Sequence, residues 1–421
     1  MSRFETLSDW LEWQETLHPA GIELGLDRVR TVLERLGHTH PSHTVITVGG
    51  TNGKGSSVAM LESILCAAGY RVGSYTSPHL LRYNERIRIQ GAEIDDASLC
   101  AAFEQVDRAR GELPLTYFEF GTLAAIDLFA GRPLDVALLE VGLGGRLDAV
   151  NVLDPDVALV TSVGIDHQEW LGGDRESIGR EKAGIFRAGG LAVCGDPQPP
   201  VSLLEEARRL GVRLHRIGVD FGFDRHAGGW RWWGGGNRHD ALPLPALQGG
   251  FQLRNGAAVL MVLTLLAGRL PVGQVAIRQG LARVSLPGRL QLLPGEVIRL
   301  LDVAHNPHAA AVLAETLRET PCAGRTLAVA GMLADKDHEG IFQALCSEVD
   351  AWYLADLPVA RDAGAERLER ALRKVREDAV ARRFPSVPAA YGQATGEARP
   401  GDRIVVFGSF HTVAEVLPET L

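Results

Sequence analysis

The stretch that most constrains this chain is residues 44 to 56, Thr44-Val-Ile-Thr-Val-Gly-Gly-Thr-Asn-Gly-Lys-Gly-Ser56. A β-branched run from Thr44 to Val48 breaks into glycines and ends at Lys54. Beyond it Val58, Leu61, Ile64, Leu65 and Ala68 recur at helical spacing, and Gly69 stands where a C-cap is expected. A strand, a Gly-rich turn, a lysine and a helix N-terminus together read as a phosphate-binding loop. The glycines let backbone N–H groups face a polyphosphate, the helix dipole and Lys54 add positive potential, and the Ser56 hydroxyl can reach Mg²⁺. The spelling differs from the common one, because Gly55 rather than a hydroxyl residue follows the lysine and Val48 replaces the first glycine.

A chain of 421 residues has room for two or three domains. Its net charge of −9 argues against general affinity for nucleic acid. The cysteines, Cys66, Cys100, Cys194, Cys322 and Cys346, are odd in number and widely spaced. They suggest neither a disulfide framework nor a zinc site, and they fit a reducing cytoplasm. The start, Met1-Ser-Arg-Phe-Glu-Thr, does not read as a signal peptide, and no apolar run approaches the roughly 20 residues that span a bilayer. No membrane partner is expected.

Residues 4 to 17 read as a short amphipathic helix; Ile22-Glu-Leu-Gly-Leu-Asp-Arg-Val29 follows, and a helix is expected to run to Leu36. Arg71 to Thr76 reads as a strand interrupted by Ser77-Pro78-His79, and helices are expected over 96–108 and 119–130. Val136-Ala-Leu-Leu-Glu140 and Val157-Ala-Leu-Val-Thr161 are nearly all apolar, as strands buried on both faces of a parallel sheet are. Alternation up to about residue 215 argues a doubly wound, mostly parallel α/β domain. Residues 219 to 245 change to Gly and Trp (Trp230, Trp232, Trp233, Gly234 to Gly236), which suits a small antiparallel sheet better than base stacking, since no basic residues cluster there. Helices follow at 252–267 and 273–283. Leu286-Pro-Gly-Arg289 has turn chemistry, so the domains are drawn at 1–286, with a linker over 287–296 and a smaller Rossmann-like α/β domain over 297–421. In that domain strands are expected at 297–303, 326–330, 351–354 and 404–407. Helices are expected from Pro307, near 338–346, over 364–376 and at the end.

Open α/β sheets bind ligands at the carboxyl ends of their strands. Glu140 ends a buried strand and precedes Val141-Gly-Leu-Gly-Gly-Arg-Leu-Asp148, a carboxylate placed to take a hard cation beside glycines that admit a ligand. Ser77 and Asp166-His167 also follow expected strands. Taken singly, each is as well explained as a structural residue. Their convergence at one sheet edge is what makes them candidates.

Thr51-Asn-Gly-Lys-Gly-Ser56, Thr76-Ser-Pro-His79, Leu139 to Asp148, Asp166-His167, Glu181-Lys-Ala-Gly-Ile185 and Asp302-Val-Ala-His-Asn-Pro307 resemble, in this order, motifs of the ATP-dependent Mur ligase superfamily. The resemblance is to its folate branch, the dihydrofolate and folylpolyglutamate synthases, and it covers essentially the whole chain. It implies an ATP-binding N-terminal domain and catalysis in a cleft against the smaller domain. It assigns Ser77, Glu140 and His167, with Ser56 nearby, to one or two Mg²⁺ ions, and Thr51, Asn52, Gly53, Lys54, Gly55 and Ser56 to the ATP phosphates. Asn255, Arg289 and Asp302 match further ATP contacts. Lys182 matches a lysine that CO₂ converts to a carbamate, whereas the residues alone read Glu181-Lys182 as a helix-face ion pair. Lys54, His167 and Lys182 are thus the expected catalytic residues. Glu23-Leu24-Gly25, Thr116-Tyr117-Phe118-Glu119 and Leu147-Asp148-Ala149 match segments that contact dihydropteroate in bacterial bifunctional members. There Tyr117 and Phe118 could stack on a pterin, and Asp148 or Glu119 could hydrogen-bond it.

The resemblance implies a cytoplasmic monomer that joins L-glutamate to dihydropteroate and to reduced folates through an acyl phosphate, at the expense of ATP. Its alternatives are a ligase adding an amino acid to a UDP-linked cell-wall precursor, a folylpolyglutamate synthase with the second reaction alone, and a nucleotide switch that hydrolyses ATP without ligation.

Overall fold

The computed structural model describes residues 3–18 and 23–417, and the chain divides into two compact units. The first comprises residues 1–164, 168–246 and 253–284, and the second 165–167, 247–252 and 285–421.

In the first unit the strands are β1 (Thr44–Gly49), β2 (Val72–Tyr75), β3 (Ile87–Ile89), β4 (Ala92–Glu93), β5 (Val136–Glu140), β6 (Val157–Val160), β7 (Leu191–Cys194) and β8 (Arg213–Arg216). They form one sheet in the order β4-β3-β2-β5-β1-β6-β7-β8. The pairs from β2 to β8 are parallel, and β3 and β4 add an antiparallel edge. Strand β1 lies between β5 and β6, and every residue in it is buried. That position explains its unbroken apolar and β-branched sequence: both faces are covered by helices. The chain leaves β1 toward β2 on one side and later returns to β6 on the other, so the carboxyl end of β1 is a topological switch point.

The helix Lys54–Ala67 leaves that switch point. Ala68 takes the C-cap position, and Gly69, just beyond it, is left-handed with φ +89°. The helix crosses Gln274–Arg283 very closely, since a Cβ on Gly280 would lie 2.5 Å from the Ile64 Cα, and Ser63 Oγ donates to the Gly280 carbonyl at 2.9 Å. The Trp-rich segment is a meander of β9 (Phe221–His226), β10 (Gly229–Gly234) and β11 (Asn237–Leu242). Trp230 and Trp232 are fully buried, and their indole N–H groups donate to the carbonyls of Pro243 and Ala257 at 2.8 and 3.0 Å. Both rings therefore serve the fold rather than a stacking surface.

In the second unit β12 (Gln291–Leu293), β13 (Ile298–Leu301), β14 (Thr326–Ala330), β15 (Ala351–Ala355), β16 (Ala381–Phe384) and β17 (Arg403–Phe407) order as β12-β13-β17-β14-β15-β16. All neighbours are parallel except β12 with β13. The expected linker 287–296 thus carries a strand, because Gln291 to Leu293 pair with Leu301 to Arg299 and so join the sheet edge. Residues 165–167 and 247–252, drawn within the first domain, group with this unit. Phe251 shows the reason in part, packing against a core that includes Leu290, Phe342, Trp352 and Phe407.

Candidate active site

The loop after β1 is shaped by two glycines whose φ values, +142° at Gly50 and +86° at Gly53, exclude most side chains. A Cβ on Gly50 would lie 1.9 Å from Thr161 Oγ1, and one on Gly53 would lie 2.7 Å from Asn255 Oδ1. The end of β6 holds the loop from beside. Thr51 N donates to Ser162 O at 2.7 Å, Asn52 N to Ser162 Oγ at 3.1 Å, and Thr161 Oγ1 to Asn52 O at 2.7 Å. Lys54 opens the following helix and curls its ammonium onto the loop, donating to the carbonyls of Gly50 and Thr51 at 3.0 and 3.2 Å. The N-cap, Gly53, has no side chain, and the first turn carries no acidic residue. This helix end is therefore suited to an anion. Thr51, Asn52, Gly53, Lys54, Gly55 and the buried Ser56 come together here, with Asn255 packed against Gly53.

Parallel pairing of β2 with β5 sets Tyr75 opposite Leu139 and brings the next turn beside Glu140. The Ser77 N–H donates to Glu140 Oε2 at 3.3 Å, and Glu140 is 4% exposed. Beyond Glu140, the glycine loop meets the helix Arg175–Ala183 at van der Waals limits. A Cβ on Gly145 would lie 2.7 Å from Glu181 O, and one on Gly184 would lie 2.3 Å from Arg146 Cβ. Arg146 N donates to Glu181 O at 2.9 Å, and its guanidinium pairs with Glu181 Oε1 at 2.9 Å. Glu181 thus pairs across to Arg146, and adjacent helical residues do not face each other. Lys182 is buried on this docked helix.

The dihydropteroate-type segments also meet. Gly25 N donates to Leu147 O at 3.3 Å, and Arg28 grips both Glu23 and Glu119. Tyr117 and Phe118 are half-buried, and the Phe118 ring fills the space that a Cβ on Gly142 would take, 2.6 Å away. Asp148 is buried at the N-cap of Ala149–Val152 and accepts from Leu143 N at 2.8 Å and Val150 N at 3.1 Å. Burial pushes its carboxyl up to about 7, against those backbone donors and the nearby charge of Lys54. Near neutrality Asp148 can thus donate or accept a proton. Glu119 is different. Its carboxylate accepts from Thr116 N at 2.8 Å in a capping box and is forked by Arg28, so it is committed to the protein. The Thr116-Tyr-Phe-Glu119 spacing carries that second meaning in the sequence.

In the second unit Asp302 directly follows β13 and accepts from Leu290 N and Ala304 N, both at 2.8 Å; desolvation raises its pKa despite these donors. The Arg289 guanidinium lies 4.7 Å from the centre of the Phe410 ring. His167 adopts φ +51°, and its backbone N–H donates at 2.9 Å to Oδ1 of Asp166, a nearly buried carboxylate. Asp166 accepts from Asn306 Nδ2 at 2.8 Å and Lys336 Nζ at 2.9 Å, and His305 Nε2 lies 3.5 Å away. Burial opposes its charge, yet His305, His167 and Lys336 hold the carboxyl well below the usual range. Lys336 carries no motif that marks it in the sequence; its tie to Asp166 spans 170 residues.

Among the described residues, no group of three or more His, Cys, Asp or Glu side chains could hold a metal by itself, and no helix is long and apolar enough to cross a membrane. Residues 288–410 match the family model described as Mur ligase, glutamate ligase domain. The chain is 47% identical over 411 residues to a dihydrofolate synthase/folylpolyglutamate synthase of Escherichia coli K12, covering 98% of this chain and 94% of that protein. It is similar to the solved structure of the Escherichia coli protein in complex with DHPP and ADP, at a TM-score of 0.93 and 46% identity, covering 99% and 97% of the two chains. A bifunctional folylpolyglutamate synthase/dihydrofolate synthase with Mn, AMPPNP and L-glutamate bound matches at a TM-score of 0.91 and 48% identity, covering 99% and 98%. With a strand-end phosphate loop, a buried strand-end carboxylate and a relative 47% identical and matched over 94% of its length, this chain belongs to the dihydrofolate synthase/folylpolyglutamate synthase family of the Mur ligases.

Proposed function

We propose that the chain is an ATP-dependent ligase that adds L-glutamate to dihydropteroate, forming dihydrofolate, and to reduced folates, forming folylpolyglutamates. The observation that carries the reading is the phosphate loop with Lys54 and the Glu140 strand end, set in a chain alike over 98% of its length to an enzyme named for both reactions. A carboxylate resists an amine because its leaving group would be oxide. The γ-phosphoryl group of ATP therefore passes to the acceptor carboxylate, giving an acyl phosphate. The glutamate amine attacks that carbonyl, and phosphate leaves from the tetrahedral intermediate. Lys54 would exchange its two carbonyl partners for phosphate oxygens and offset the charge of the transferring group. Asn255, against Gly53, and Arg289 and Asp302 are the further proposed ATP contacts.

Ser77, Glu140 and His167, with Ser56, are proposed to hold Mg²⁺. The buried Glu140 carboxylate fits a hard cation, and few protein ligands are needed, because Mg²⁺ keeps waters and takes substrate phosphate oxygens. When bound, the ion neutralises charge on the phosphates. For the acceptor, Phe118 and Tyr117 supply apolar surface, and Asp148, titrating near 7, supplies the hydrogen-bond group. The reading puts the enzyme in the cytoplasm, where its five thiols, none in a disulfide, stay reduced. Its direct test is mass spectrometry of the product after incubation with ATP, Mg²⁺, glutamate and dihydropteroate. Dihydrofolate with stoichiometric ADP supports it, and ADP without an amide product refutes it.

Lys182 is proposed to act as a carbamate, which turns a buried cation into an anionic oxygen ligand. Its supports are burial and the docked helix that fixes it beside the glycine loop. Lys182→Ala is expected to lose most activity and to regain part of it with short carboxylic acids that replace the missing oxygens. No rescue by any such acid, together with an unmodified ammonium in a high-resolution map of the active complex, would remove the carbamate.

A further inference from the structure

Residues 23–25 form neither helix nor strand, and among the described residues a Cβ built on Gly25 would meet nothing within 4 Å, so the Gly25 position faces open space. The loop's position is set from outside. Gly25 N donates to Leu147 O at 3.3 Å, His18 Nε2 lies 3.1 Å from Glu23 Oε2, and Glu23 also pairs with Arg28. Arg28 stands in the first turn of the helix Asp27–Leu36, whose next residue, Val29, is buried in the core. The side chain is thus mounted on a rigid element.

Its guanidinium is used on every nitrogen. Nε and Nη2 fork the buried Glu119 carboxylate at 3.3 and 3.0 Å. Nη1 donates to Glu23 Oε1, and Nη2 also reaches the Glu23 carbonyl at 3.3 Å. Glu119 in turn caps Thr116 at the start of the helix Tyr117–Ala130. One side chain therefore joins the loop at 23–25 to the helix end that presents Tyr117 and Phe118, while Gly25 joins the same loop to Leu147-Asp148. Glu119 is 3% exposed and Glu23 is 49% exposed, so the clamp runs from the interior to the lip of the open space. A planar fork fixes both distance and angle, which a point charge does not.

We propose that Arg28 is a positioning residue for acceptor recognition: it locks the 23–25 loop against the 116–119 helix end, so that the pterin meets a preformed slot. This rests on the reading of those segments as the acceptor site. Rigid pre-alignment of a binding slot appears in acceptor affinity, because an unlocked loop must be ordered each time the acceptor binds. The phosphate loop does not share the clamp, so the ATP step is spared.

The test is steady-state kinetics of the full chain and its Arg28→Met, Arg28→Lys and Phe118→Ala variants, varying dihydropteroate and ATP separately. Arg28→Met is expected to raise KM for dihydropteroate tenfold or more, with kcat and KM for ATP within twofold. Arg28→Lys, which keeps charge without the fork, should fall between. A dihydropteroate KM within twofold of the parent, or a parallel rise in KM for ATP, overturns the proposal. Should Arg28→Met fail to fold, the lysine variant is judged by the same split. Phe118→Ala separates the two layers. If it raises the acceptor KM while the Arg28 variants do not, the clamp is wrong and the acceptor site stands. If neither moves it, the acceptor site falls as well.

Discussion

Lys54→Ala is expected to lower kcat/KM by on the order of 10²–10³, the usual cost of removing one preorganised charge from a developing anion, while the protein stays folded. Folding should survive because, among the described residues, the ammonium's hydrogen bonds go to two carbonyls of its own loop, Gly50 and Thr51. The loop's shape comes instead from Gly50, Gly53 and the tethers to Thr161 and Ser162. The loss should divide unevenly, with kcat falling more than ATP affinity, since the charge being offset grows during phosphoryl transfer. Kinetics alongside thermal unfolding would check this. Turnover within a few-fold of the parent at unchanged stability would remove the loop from the reaction.

Glu140 should be nearly as costly, and its loss should read out in the metal. Glu140→Gln keeps an acceptor for the Ser77 N–H and so leaves the turn after β2 supported, but it removes the anionic oxygen. We expect kcat/KM to fall by on the order of 10² and the Mg²⁺ activation curve to move to higher concentration. Activity measured across a Mg²⁺ series decides it. A variant with the parent's Mg²⁺ curve would mean that the ion is held elsewhere.

The parts of this fold that could be read from sequence are those whose signals are local. Val136–Glu140 has the expected bounds because a strand covered on both faces has to be apolar throughout and stop where the polar loop begins. The phosphate loop is legible because glycines, a lysine and a helix start are neighbours in the chain. Edge elements were less visible. Strand β16, Ala-Arg-Arg-Phe, is half polar, as edge strands tend to be, and β12 lies inside an apparent linker. The helix Val387–Glu397 contains Gly392 and Gly396, which weaken its pattern, although Ser386 and Pro388 mark its start. In the site, Glu140 and Ser77 were readable as strand-end residues. The commitment of Glu119 to Arg28, 91 residues away, and of Asp166 to Lys336 was not, because a salt bridge across such distances leaves no periodicity.

The central claim is that one ATP site serves two acceptors. Each reaction activates a carboxylate and accepts the same amine; only the distance from pterin ring to carboxyl differs. The measurement that tests it most directly is product formation by the purified chain, assayed separately with dihydropteroate and with a tetrahydrofolate acceptor under ATP, Mg²⁺ and glutamate. The account predicts dihydrofolate from the first and a glutamate-extended folate from the second, with both lost together in Lys54→Ala. Extension of the folate without any dihydrofolate would contradict it, leaving the fold and the ATP site in place and the second acceptor unsupported.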